Sequence, residues 1–249
     1  MIRIVGFVVL GVLAYGGFLL ATFPAERAFA LIADKAPEVR VTGVSGTAWC
    51  GQAKVLQIRG TNLERVKWQL KPWSVLTGQL KLDLELDGPN VEGSTGVGLH
   101  RDGGVTLNDV DMRLDAAQLS SLLDMPVDLA GQFDVQLESA ELMGQALLQS
   151  AQGTVRWQRA TVTSPVTQTL GEYVAQLSTA EDGIKAQVKD DGGPLQLDGT
   201  ALLTPKGNYN FNGSVSVRDT QEQLLVQGVR ALGRPGKDGR VPLRYSGRL

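Results

Sequence analysis

The sequence predicts a mostly β protein: an N-terminal transmembrane helix followed by an elongated antiparallel β-sheet domain with a few short helices. Three observations carry this reading. Residues 4–23 contain neither a charge nor a proline. From Val39 onward the dominant hydropathy period is two, clearest in Gln79-Leu80-Lys81-Leu82-Asp83-Leu84-Glu85-Leu86-Asp87. Clusters of Gly, Pro, Asn and Asp punctuate the alternating runs, as hairpin turns with positive φ require.

The 4–23 run is 20 residues long, and at 1.5 Å per residue a helix of that length spans about 30 Å, the thickness of the bilayer's hydrocarbon core. Twelve of its residues are Ile, Val, Leu or Phe, which favours insertion by about 4–7 kcal/mol before glycine costs. Arg3 precedes it, while Glu26 and Arg27 cancel after it. The positive-inside bias therefore places residues 1–3 in the cytoplasm and the rest of the chain beyond the membrane. The rival reading is a cleaved signal peptide, since Ala28-Phe29-Ala30 fits an A-x-A site. The retained anchor is preferred, because the apolar run exceeds a signal h-region and Glu26 and Arg27 interrupt the approach to the cut.

Residues 24–37 read as a juxtamembrane helix, with Pro24 in its first turn and Pro37 as its stop. Residues 38–249 read as a single β-rich periplasmic domain, since no linker or low-complexity stretch divides them. In 79–87 one face carries four leucines and the other only polar groups, the mark of an antiparallel strand buried on one side. Comparable runs occupy 105–107, 110–114, 133–137, 184–188, 195–197, 209–211 and 215–217. The expected turns are Asp87-Gly88-Pro89-Asn90, Asp102-Gly103-Gly104, Asp191-Gly192-Gly193-Pro194, Lys206-Gly207-Asn208 and Asn212-Gly213. Two helices interrupt the strands: 116–123 capped by Asp115, and one ending at Leu232 capped by Asp219 or Thr220, with Gly233 as its C′ residue. Residues 240–248 read as a final strand. Gly46-Thr47-Ala48-Trp49 and Gly153-Thr154-Val155-Arg156-Trp157 form a weak echo, open to duplication or chance.

Composition narrows function. The chain has 249 residues, 43% of them apolar, and 24 Lys plus Arg against 26 Asp plus Glu, a net charge of −2. That balance gives no footprint for nucleic acid. One Cys and one His exclude an intrachain disulfide framework and a structural zinc site. No cofactor or metal is expected. His100 reads as a strand-end histidine and Cys50 as a buried or edge thiol, with no Cys-x-x-Cys around it. Asp109-Val110-Asp111 and Asp190-Asp191-Gly192-Gly193 resemble fragments of calcium loops but lack the closing Glu. Gly93-Ser94-Thr95-Gly96-Val97-Gly98 lacks the Lys-Ser/Thr of a phosphate loop. No catalytic, cofactor-binding or metal-binding residues are assigned. Trp49, Trp68 and Trp157 are expected in the apolar face of the sheet; Trp73, beside Pro72, could equally anchor at a membrane interface.

Several segments together resemble the protein N family of the type II secretion system (general secretion pathway protein N). They are Val44-Ser45-Gly46-Thr47-Ala48-Trp49-Cys50-Gly51, Trp68-Gln69-Leu70-Lys71-Pro72-Trp73-Ser74-Val75-Leu76-Thr77-Gly78 and Gly153-Thr154-Val155-Arg156-Trp157. Asp191-Gly192-Gly193-Pro194-Leu195-Gln196-Leu197-Asp198-Gly199, Gly207-Asn208-Tyr209, Gly239-Arg240 and Tyr245-Ser246-Gly247 complete the set. The resemblance implies a single-pass inner-membrane protein with a periplasmic domain, accessory to export of folded proteins and without catalytic residues. Implied partners are other type II secretion components, namely inner-membrane platform proteins and the outer-membrane secretin, besides the lipid bilayer. The family is similar to AsmA-like proteins, whose sheets curl into apolar grooves, so a bound lipid is the alternative expectation.

Overall fold

The computed structural model describes residues 11, 14–19, 21–33, 39–58, 61–75, 79–118, 128–143, 147–163, 167–219 and 221–248. Half of the expected membrane helix 4–23, residues 4–10, 12, 13 and 20, lies outside them; residues 14–19 are helical. Among the described residues no helix is long and apolar enough to cross a membrane. The chain falls into two compact units, Met1–Pro89 and Asn90–Leu249.

The first unit is a helix on a small antiparallel sheet. The helix Ala25–Ala33 follows Pro24, as the sequence predicts, and Pro24 itself bridges to Thr47. Strands β1 (Val39–Thr42), β2 (Ser45–Gly46), β3 (Cys50–Ile58), β4 (Thr61–Leu70) and β5 (Leu80–Asp87) pair in the order β1-β3-β4-β5, with β2 also on β3. Register explains the alternation. Val66, Trp68 and Leu70 stand opposite Leu86, Leu84 and Leu82, while Lys67 stands opposite Glu85. Lys67 Nζ lies 2.8 Å from Glu85 and Lys71 Nζ 2.9 Å from Asp83, all on the exposed face, where solvent screens both pairs. On the apolar face Trp68 lies opposite Gly51. A methyl group at Gly51 would come within 2.5 Å of the Trp68 ring and 2.6 Å of the Ser45 carbonyl, so the glycine makes room for the indole. Phe29 of the helix meets Trp68 edge-on at 5.3 Å.

The second unit is a meander. Strands β6 (Val91–Leu99), β7 (Val105–Asp115), β8 (Leu129–Met143), β9 (Leu147–Val162), β10 (Gln168–Ala180), β11 (Gly183–Asp190), β12 (Leu195–Leu203), β13 (Asn208–Val217) and β14 (Val241–Arg248) follow one another in sequence order, every pair antiparallel. The runs expected at 105–107 and 110–114 are one strand, bent at Asp109, whose φ of 49° marks a bulge between the two alternating halves.

Asn212-Gly213 is not a turn. Both residues lie within β13, where Asn212 pairs with Thr200 and Gly213 with Gly199. The ring of Phe211 covers this glycine pair, 2.6 Å from where a Gly199 Cβ would lie. Close cross-strand approach, not positive φ, is what the glycine supplies.

Of the expected helix 116–123, residues 116–118 are helical and Asp115 Oδ1 accepts from Ala117 N at 2.9 Å; 119–123 lie outside the described residues. The C-terminal helix runs Gln223–Leu232. Asp219 caps only the preceding turn, accepting from Gln221 N at 2.8 Å, and Thr220 lies outside the described residues. Glu222 is the N-cap and makes no side-chain cap bond. Gly233 leaves the helix extended, at φ 164°, instead of left-handed, and the chain turns at Gly236–Arg240, where Gly236 N donates to the Arg240 carbonyl at 2.8 Å, before entering β14. Leu225 and Val229 of this helix are buried, and Val229 packs with Val215, Val241 and Leu243. A second cluster, Ala140, Ala151 and Ile184, holds the centre of the meander.

Candidate functional site

The register of β8 to β14 puts apolar residues on one face in rows. Phe133, Trp157 and Tyr173 are directly opposite one another across β8, β9 and β10. Val155, Ala175 and Val188 form the next row across β9, β10 and β11. Val188 pairs with Gly199 of β12, and two residues along that strand Leu197, Val215 and Val241 form a further row on the same face across β12, β13 and β14. The reverse face carries Gln132, Asp134, Arg156, Gln187, Lys189 and Arg244. This is the two-faced pattern of an antiparallel sheet wetted on one side.

Between these rows and Leu232 of the C-terminal helix lies a groove of about 330 Å³. Its aromatic wall is ordered. Phe133 stacks on Trp157 at 5.2 Å and 16°, and Trp157 meets Tyr173 at 6.0 Å and 39°; such pairs contribute about 0.5–1.5 kcal/mol each beyond burial. Their polar atoms are held by backbone. Trp157 Nε1 donates to the Ala130 carbonyl at 3.2 Å. The Tyr173 hydroxyl hydrogen is shared between the Leu170 and Leu195 carbonyls, at 3.1 and 3.3 Å. Burial, reinforced by the Asp190 carboxylate, pushes the Tyr173 phenol well above its ordinary pKa. Asp190 itself is turned to Arg218 and to the Leu197 amide. Among the described residues no charged side chain lines the groove. The site can accept an apolar body.

Of the residues quoted in the sequence analysis for the resemblance, Val155, Trp157, Leu195 and Leu197 line the groove; the candidate site residues lie elsewhere. His100 closes the β6–β7 turn, with Nε2 2.8 Å from the Thr106 hydroxyl. Cys50 is exposed at the start of β3, its amide bonded to the Thr47 hydroxyl at 3.2 Å. Gly93 to Gly98 form the body of strand β6. Among the described residues no group of three His, Cys, Asp or Glu could hold a metal ion. Trp49, Trp68 and Trp157 are half-buried, and Trp73 is 79% exposed. The echo has no common structural role: Gly46 enters a hairpin turn, while Gly153 sits mid-strand in β9.

The sequence reading marked no groove. Phe133 and Val188 belong to recognised strands, but Leu170, Tyr173 and Ala175 sit in β10, whose register shifts twice near Gly171. It also missed a charge asymmetry. Residues 230–248 hold six Lys or Arg and one Asp, while the chain has 24 and 26. The remainder is therefore 18 against 25, and a windowed charge count would have found the basic end.

The family model described as "Type II secretion system (T2SS), protein N" matches residues 37–244. The chain is 30% identical to Type II secretion system protein N of Aeromonas hydrophila over 244 residues, 95% of each chain. It is 29% identical to that of Klebsiella pneumoniae, covering 92% of this chain and 90% of the relative. The relative from Vibrio cholerae serotype O1 is 26% identical over 85% of each. No solved structure matches the chain. The match spans both units and nearly the full length of these relatives, and the chain belongs to the type II secretion system protein N family.

Proposed function

We propose that this protein is a non-enzymatic, single-pass inner-membrane accessory component of the type II secretion system. In this reading residues 4–23 anchor it and the β-rich part stands in the periplasm, supporting export of folded proteins across the outer membrane. Family membership carries the proposal. The strand order supports it: an antiparallel sheet with an apolar face, whose outer strand β14 pairs on one side only among the described residues, offers a surface for partners. The partners would be inner-membrane platform proteins and the secretin.

Deletion of the gene in the source bacterium tests the role. Enzymes normally secreted are expected to accumulate in the periplasm and to return to the medium on complementation. Unchanged secretion would overturn it.

A second reading, binding of a lipid acyl chain, is favoured by one observation. The groove beside Trp157 and Tyr173 is lined by apolar side chains whose polar tips are already satisfied. Its volume sits at the lower end of the roughly 300–1,000 Å³ range of small-molecule sites, which suits one chain and not a whole lipid.

A further inference from the structure

We propose that β14 is a docking edge for an extended segment of another protein, one that alternates acidic and apolar residues. The inference does not rest on the secretion role, only on the edge itself.

Within the second unit β14 ends the strand order and pairs with β13 alone among the described residues. Its backbone polarity is set by Pro242, which stands opposite Ser214. Proline has no N–H and is tolerated in a sheet where that position faces outward from an edge. Alternation then turns the backbone N–H groups of Arg244, Ser246 and Arg248 outward too. Val241, Leu243, Tyr245 and Gly247 bond inward to β13.

The side chains add selectivity. Arg244, Ser246 and Arg248 lie on the polar face and are exposed, and neither arginine has an ion-pair partner among the described residues. Arg234, Lys237 and Arg240 stand in the preceding segment, with Asp238 the lone acid among them. The opposite face offers Tyr245, 52% exposed, beside the nearly buried Leu243. A strand added here meets arginines on one face and apolar surface on the other. Its own residues should therefore alternate Asp or Glu with apolar groups, since opposite charges directly across strands stabilise pairing and like charges oppose it.

The same charges argue against a second copy of this chain. An antiparallel β14 pair centred on Ser246 sets Arg244 against Arg248 twice, and β1, the outer strand of the first unit, carries Arg40. Proline and arginine thus guard the edge against self-pairing while leaving it open to an acidic partner.

The test uses the full-length protein in mild detergent and two labelled ten-residue peptides, one alternating Glu with Val, the other Lys with Val. Fluorescence anisotropy gives affinity and hydrogen exchange reports the backbone. The Glu peptide is expected to bind at least tenfold more tightly and to slow exchange at the amides of 244, 246 and 248. Arg244→Glu with Arg248→Glu should reverse the preference. Ser246→Pro, which removes one outward donor and no charge, should lose the Glu peptide. Equal binding of the two peptides, no protection on β14, or an unaffected Ser246→Pro variant would each overturn the proposal, the last by reducing binding to charge alone.

Discussion

Tyr173 has two functions in one side chain: its ring closes the aromatic row and its hydroxyl ties β10 to the Leu195 carbonyl of β12. Tyr173→Phe keeps the ring and removes the bond, so a loss of about 1 kcal/mol in urea unfolding is expected. The pH dependence has a definite sign. Burial raises the folded-state pKa of this phenol above its ordinary value of 10.0. The group thus contributes stability that is fully present below about pH 10, where the unfolded chain titrates, and lost as pH rises toward the higher folded value. The parent protein should weaken above pH 10 more steeply than Tyr173→Phe; identical slopes would show that the phenol is not held neutral by the fold. Residue-scale detail of this kind was not legible in the sequence. Gly171-Glu172-Tyr173 shows no alternation, because β10 shifts register there. Gly51 likewise shows its purpose only when Trp68 is seen across from it.

Secondary-structure elements were legible where polarity alternates without interruption. Strand β5 reads directly from Leu80 to Asp87, since every second residue is a leucine and no bulge breaks the phase. Strand β7 was split at Asp109, and β13 at Asn212-Gly213, because a bulge residue and a glycine look like turn residues when their cross-strand partners are unknown. The C-terminal helix was found by its apolar spacing but given the wrong caps. Asp219 is spent on the preceding turn, and Glu222, too long to reach back to its own first amides, occupies the N-cap. Glu222→Ser supplies the short hydroxyl that this position favours. It should stabilise the protein by about 0.5–1 kcal/mol, visible as a higher urea midpoint at unchanged slope. No gain would mean that the Asp219 turn already fixes the helix start.

At the scale of the whole molecule, alternation tells that a sheet has one apolar face but not what lies over it. A closed core and an open groove give the same pattern in sequence, and the difference appears only when the strands are registered. In the second unit the C-terminal helix covers the Val215, Val241 and Leu243 end, leaving the Phe133–Trp157–Tyr173 row beside an apolar hollow. If that hollow holds an acyl chain, a fluorescent polyunsaturated fatty acid should bind a detergent-free preparation of residues 38–249, with energy transfer from Trp157. Ala175 stands beside Tyr173 and opposite Val155 and Val188, so Ala175→Phe places new bulk in the space such a chain would occupy. A tenfold or greater loss of probe affinity is expected, with secretion serving as the independent readout. Binding lost while secretion persists would separate lipid handling from the proposed role in export. Loss of both would join them, because filling the hollow leaves the β14 edge and its arginines in place. Undiminished probe binding would show that the hollow is not where the chain goes and would remove the lipid reading.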